Sequence, residues 1–312
     1  MKFIKALKRQ KFYYYLKHIL IYATPKVFYQ IHLKKWLTRN SKEIDDRIKY
    51  YVSPNINVNP DKKWISIANF KIPKKGTMYF FDSMKVAKYF EINKKINFAF
   101  GDITQNFNAP TLVKSRPINH NGNSVLMKLD SLRHFYFIDD DRTFLEKNDK
   151  IVWRGTIHKE NRRLLVDMFY NHPFCDIGDV SHVKWDNPNW KKRFLSIKEQ
   201  LASKFVLSIE GVDVATNLKW IMSSNSLCFM PKPQFETWYM EGKLIPDYHY
   251  VLIEDDYSNL LEKRAYYLEN QNEALTIIKN AHRWTHQFRN RSVEKEISIK
   301  VLNQFFKQTN QN

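Results

Sequence analysis

The sequence predicts an α/β fold built on a parallel sheet, and three stretches carry that expectation. FVLSI (Phe205 to Ile209), SLCFM (Ser226 to Met230) and Tyr248 to Ile253 are short apolar runs that suit buried strands. Between the first two, Leu218, Ile221 and Met222 fall three and four apart, as on one face of a helix, with Asp213 or Thr216 available as N-cap. Pro231 and Pro233 end the second run, and Glu236 to Lys243 reads as a further helix. Asp255, Asp256 and Ser258 make a capped start for the next one. Strand, helix, strand, helix, strand is the alternation of a parallel sheet with crossovers. Ligands of such sheets sit beyond the carboxyl ends of the strands. The glycine turn at Gly211 leads from a strand toward a helix N-terminus, a natural place for a diphosphate. Most strand-glycine-helix turns bind nothing, so both readings stay open.

With 312 residues, 43% of them hydrophobic, the chain is long enough for two domains with a sizeable core. The expected division is a first domain over 1–149, a second over 150–290 and a helical tail over 291–312. Cys175 and Cys228 lie far apart in or beside apolar segments, which fits buried free thiols in a reducing compartment. The formal charge of +19 is concentrated at the start, because the first 42 residues carry eleven Lys or Arg and no acid. No apolar run approaches the roughly 20 residues of a membrane span, and no secretory signal is evident. A cytoplasmic location is therefore expected, with peripheral contact to the cytoplasmic membrane as an option. Tyr13, Tyr14, Tyr15, Phe28 and Trp36 interleave with the early cations. That pattern suits an anionic membrane surface, or a solvated basic helix whose aromatics cover the domain behind it. Single-stranded nucleic acid is a third option, without an accompanying binding motif.

In order along the chain, residues 40–75 read as loops and short strands around WISIANF, and Thr77 to Asn93 as helical in its second half. Asn97 to Phe100 is a strand ending at Gly101-Asp102, where a carboxylate either faces the crevice or caps the next turn. Ser124 to Asp130 is a further strand, and Asp139, Asp140 and Asp141 read as a solvated turn because adjacent side chains diverge. Ile151 to Trp153 forms a strand, Arg154-Gly155-Thr156 a turn, and a helix begins at Glu160 with Arg162 and Arg163 in its first turn. Two arginines so placed can converge on one anion, although solvent-facing charges would look the same. Residues 176–193 are polar and read as a loop-rich insertion. Ser196 to Lys204, Leu260 to Leu268 and Glu273 to Phe288 are helical, and 289–312 is a charged amphipathic tail that could pack back on the first domain. His158, His172 and His182 are too scattered for metal-ligand spacing, so no metal site is expected.

Several of these motifs together resemble glycosyltransferase family 90. They are WRGT at Trp153 to Thr156 with Arg162 downstream, GVDVATNLKW, the spaced SLCF, the glutamate of FETW, and LIPDYHYVLIEDDYSNL. The likeness runs from about Phe98 to Phe288, and the bacterial lipopolysaccharide core branch looks most similar. It implies a GT-B-like architecture of two Rossmann-like domains facing across a cleft, with an acceptor side in the first domain and a nucleotide-sugar side in the second. It also implies an inverting, UDP-sugar-dependent hexosyltransferase that needs no metal and acts on a glycan or lipooligosaccharide acceptor. Asp102 best matches the family's catalytic base. Arg154, Gly155, Thr156, Arg162, Gly211, Asn217 and Lys219 match its diphosphate side, and Glu236 its ribose or sugar hydroxyl contact. Asn217 stands where family members often have arginine, which removes one cation. Two other functions remain open on the sequence: a basic nucleic-acid-binding protein, and a transferase-like assembly protein without catalysis.

Overall fold

A computed structural model describes residues 2–39, 42–53, 58, 60 and 63–311. The reading of 40–75 as loops falls partly outside these residues. The chain forms two compact units, Met1–His134 with Gln234–Met240 and Phe288–Asn312, and Phe135–Pro233 with Glu241–Gln287. Relative to the expected division, the second unit begins at Phe135, and the first takes back two segments from later in the chain.

The second unit is built on a five-stranded sheet. Its order is Val251–Leu252, Leu227–Met230, Ser203–Leu207, Asn148–Gly155, Cys175–Asp179, and every neighbouring pair is parallel. Parallel strands are covered on both faces, which is why Ser203–Leu207 and Leu227–Met230 are buried throughout. Ile151, Trp153, Phe205, Leu207, Phe229 and Val251 meet Leu165, Val166 and Phe169 of the Glu160–Phe169 helix in one core. Ala274, Ile277 and Ile278 of the Gln271–His286 helix join the same core. Burying each of the large side chains contributes roughly 1.5 to 3 kcal/mol. The mixed α/β class with a parallel sheet is as the sequence implies.

Three expectations about this unit need correction. Cys175–Asp179 is an edge strand that runs into the segment 176–193, read as a loop-rich insertion. Its polar composition hides it, because Asp179 is buried only by virtue of its bonds to Lys191, Ser181 and Trp185. The Asn148–Gly155 strand continues through Arg154 and Gly155, which read as a turn. The helix after Gly211 begins only at Leu218, is five residues long, and has Asn217 as an N-cap without a side-chain cap bond.

The first unit holds a three-stranded parallel sheet ordered Phe98–Ala99, Thr111–Val113, Ser124–Leu126. Ser115–Pro117 pairs antiparallel with Phe235–Thr237, so the stretch read as a helix from Glu236 is a strand followed by a 3-10 turn at Glu241–Lys243. Its partner strand lies far away in sequence, and local pattern carries no sign of it. The early helices are α1 (Lys2–Ala23), α2 (Val27–Gln30), α3 (Leu33–Leu37), α4 (Lys42–Tyr51) and α5 (Thr77–Ala87). α5 occupies the first half of its expected segment and starts at Gly76, whose φ of 79° places it in the left-handed region. The Arg291–Gln308 helix is a buried central element here, with Ile297, Ile299, Val301, Leu302, Phe305 and Phe306 all inside. Its acids are buried too. Glu294 forms an ion pair with Arg47 at 2.8 Å and accepts from Lys128 at 2.6 Å and the Trp238 indole at 2.7 Å. A buried charge has to be paired in this way, and paired acids keep the helix inside despite its charged composition.

Candidate active site

Asp102 follows Gly101, whose φ of 109° turns the chain at the end of the Phe98–Ala99 strand. The Asp102 side chain is 42% exposed, and one oxygen accepts from Lys114 Nζ at 2.7 Å. Lys114 itself lies just past Thr111–Val113, the adjacent strand, and its side chain is only 2% exposed. Ile103 N donates to Ser115 Oγ at 3.3 Å and holds the loop beside it. The result is a reachable carboxylate gripped from beneath by a buried ammonium. Removing Asp102 takes a close counter-charge away from a buried ammonium, which is costly.

The other carboxylates of the sequence reading are placed differently. Asp130 is buried with φ 52°, next to Arg133 at 3.1 Å and Tyr79 at 3.5 Å. Burial raises its pKa, against the pull of Arg133 and Lys114. Asp140 accepts from Lys147 Nζ at 2.7 Å and from the Asn225 amide at 3.0 Å, so the middle of the acidic run is a buried anchor in the second unit, and the solvated-turn reading does not hold for it. Of Asp102, Asp130 and Asp140, only Asp102 is open to a reactant.

In the second unit, Arg162 ties together two strand ends. Its Nη1 donates to Thr156 O at 3.3 Å, Nε to Glu210 O at 3.0 Å and Nη2 to Ile209 O at 2.7 Å. The guanidinium also lies 5.7 Å from the Trp153 ring centroid. Burial lowers its pKa, offset in part by Tyr257 and Glu210. A Cβ on Gly211 would stand 2.9 Å from Arg162 Nη2, so close approach of the arginine accounts for the glycine. Asn217 closes the same strand end by donating to Leu207 O at 2.9 Å, and Ser208 Oγ donates to its Oδ1 at 3.3 Å. Thr156, Arg162, Gly211 and Asn217 are thus brought to the carboxyl ends of two adjacent parallel strands, where α/β sheets hold ligands.

The remaining candidates are not part of that group. Arg154 Nη2 bonds Asp176 Oδ1 at 2.6 Å, and its Nε donates to Arg193 O at 3.0 Å. Gly155 ends the Asn148–Gly155 strand in register with Asp179. Lys219 has no exposed side-chain surface and bonds Glu241 Oε1 at 2.5 Å. Glu236 is in the first unit, buried, accepting from Arg116 Nε at 2.7 Å and from the Tyr50 hydroxyl. Lys114, Arg116 and Glu241 were not singled out from the sequence. The one available signal was a lysine directly after the apolar run Thr111–Val113, where a solvated side chain is not expected. Asp179 also escaped notice. Burial opposes its ionisation, but bonds from Lys191 and Ser181 outweigh that and lower its pKa, fixing the 180–192 loop. Among the described residues, no three His, Cys, Asp or Glu cluster as metal ligands.

Two α/β units, one with a reachable carboxylate past a strand end and one with a cationic strand-end cluster, suit group transfer. Residues 132–309 match glycosyl transferase family 90, and the chain belongs to that family. It is a glycosyltransferase. It is 42% identical over 234 residues to the O-glucosyltransferase LpsA of Dichelobacter nodosus, covering 75% of this chain and 73% of that protein. Protein O-glucosyltransferase 3 of Rattus norvegicus is 28% identical over 142 residues, or 44% of this chain and 28% of that protein. Its Homo sapiens counterpart is 27% identical over the same length.

Proposed function

We propose that the protein transfers a glucosyl unit from a UDP-sugar to a hydroxyl of a glycan acceptor, with inversion, and that the acceptor is a lipopolysaccharide or lipooligosaccharide core. The observation that carries the chemistry is the half-exposed Asp102 carboxylate held by buried Lys114 at 2.7 Å. Glucose as the sugar is supported by the names of the relatives, all O-glucosyltransferases. The acceptor rests on the resemblance to the bacterial lipopolysaccharide branch. The reading includes the GT-B arrangement and a cytoplasmic location.

In the proposed step the acceptor O–H gives its proton to Asp102 as its oxygen bonds to the anomeric carbon, and the bond from that carbon to the diphosphate breaks. UDP departs with the electron pair. A base placed for this role typically contributes a factor of about 100 to 10,000 in rate. Arg162 supplies positive potential for the leaving diphosphate. Arg154, Lys219 and Glu236, engaged in ion pairs, act by holding strand ends and turns in place. Donor binding is proposed to need no metal, so it should survive EDTA.

Asp102→Asn keeps shape and hydrogen bonding but cannot take the proton. Turnover with UDP-glucose and a defined acceptor should fall by a factor of about 100 to 10,000, while UDP affinity by calorimetry stays near that of the parent. Near-normal turnover in this variant would remove Asp102 from the role.

A further inference from the structure

The first helix has two unlike faces. One is fastened to the unit beneath it. The Tyr14 hydroxyl donates to Asp82 Oδ1 at 2.8 Å, Tyr15 bonds the Thr77 hydroxyl at 2.9 Å, and the Tyr22 ring meets Phe80 edge-on at 5.6 Å. Lys88 Nζ reaches the carbonyls of Ile21, Tyr22 and Thr24 and pins the far end. The opposite face carries Phe12, Leu16, Ile19 and Leu20, between 46% and 63% exposed. Their spacing of four, three and one places them on a single stripe. Val27 and Phe28 of α2 and Ile31 at its C-cap are exposed as well, Phe28 at 58% and Ile31 at 65%. Single exposed apolar side chains are ordinary, but four on one stripe of α1, with three more in and just after α2, mark an interaction surface.

Charge says what it meets. The first 42 residues hold eleven cations and no acid. A helix with an apolar stripe amid basic residues lies in the interface of a bilayer, and each Lys or Arg adds attraction to anionic headgroups. We infer that α1 and α2 dock the first unit flat on an anionic membrane surface, with Phe12, Leu16, Ile19, Leu20, Phe28 and Ile31 entering the headgroup boundary. The inward face, bonded along its length, keeps α1 lying along the surface, and among the described residues no helix is long and apolar enough to cross a membrane. A second copy of the chain is disfavoured, because a two-fold contact would bring both sets of cations together. Nucleic acid is disfavoured as well. Phe12 and Phe28 could stack on bases, but Leu16, Ile19, Leu20, Val27 and Ile31 offer no ring, so most of the exposed apolar surface has nothing to give a nucleic acid.

The test uses the full chain with phosphatidylcholine vesicles, with and without phosphatidylglycerol. The parent should co-sediment with the anionic vesicles and much less with neutral ones. Leu16→Ser with Leu20→Ser should weaken that binding about tenfold or more, and Lys17→Gln with Lys11→Gln should weaken it by a smaller factor that high salt reproduces. Both variants should keep the parent's circular dichroism and its transfer to a soluble acceptor. Vesicle binding unchanged by Leu16→Ser with Leu20→Ser would overturn the inference. So would a parent that sediments as a dimer and becomes a monomer in that variant, which assigns the face to a second copy. Loss of nucleic-acid retention in the variant, without vesicle binding by the parent, would overturn it too. None of these outcomes depends on Asp102, so the membrane and catalytic readings fail separately.

Discussion

In the proposed step, the setting of the Asp102 carboxylate depends on a neighbour twelve residues on. Lys114 has almost no exposed surface, so its ammonium gains little from water and much from the carboxylate. That pairing fixes which Asp102 oxygen faces outward. Lys114→Met should keep the volume but free the carboxylate to rotate, and misplacement of a reacting group costs on the order of 100-fold. The expected signature is a lower kcat with an unchanged KM for the donor, partly restored by Lys114→Arg. A variant that instead loses donor affinity, or merely unfolds at lower temperature with normal kcat, would make Lys114 a packing residue. The place of Asp102 past a strand end was legible because an apolar strand, a glycine and an aspartate are adjacent in sequence, while its proposed role rests on the family resemblance. Lys114 was not, since its role comes from the pairing of Phe98–Ala99 with Thr111–Val113. The same holds for Glu236, whose partner Arg116 lies on another strand.

Between α1 and α5, His18 sits with its Nδ1 at 2.8 Å from Tyr14 O and its ring stacked on Tyr14. Burial lowers its pKa to about 4, helped by Lys85 and Lys17 and opposed by the Tyr14 carbonyl. The unfolded chain titrates near the ordinary 6.5, so between those values it binds a proton that the folded form refuses. Stability from this site is therefore present above pH 6.5 and is lost as the pH falls toward 4. Neighbouring Asp82, raised by burial, works in the opposite sense. Comparing the parent with His18→Gln isolates the histidine: the parent should lose up to about 3 kcal/mol relative to the variant across that window. Urea unfolding at neutral and acid pH reads the difference, and parallel curves would show that the ring stays hydrated. Elements with a strong local pattern, such as Ser203–Leu207 and Glu160–Phe169, were legible to within a few residues. Phe235–Thr237 looked helical because FETWYMEGK lacks a breaker until its glycine, and only a distant strand makes it extended.

For the molecule as a whole, the decisive feature is that the first unit is assembled from three separate segments, 1–134, 234–240 and 288–312. The second unit's sheet needs nothing beyond residue 252. Ending the chain after Gln287 should leave hydrogen-exchange protection in Ser203–Leu207 and Leu227–Met230 near native. Amides of α5 should lose theirs, because Arg47 and Lys128 then face no Glu294 and the apolar side of the Arg291–Gln308 helix is gone. Equal protection in both units would mean that the helix is dispensable. This arrangement also sets an order of events during synthesis. A ribosome adding about 5 to 20 residues per second makes residues 1–134 roughly ten to thirty seconds before the helix that completes their core. For that interval residues 1–134, with the eleven cations of the first 42 and the apolar stripe of α1, lack the helix that completes their interior. Residues 135–287 hold every strand of the second unit's sheet, so that sheet can close before residues 1–134 meet the helix that completes their core.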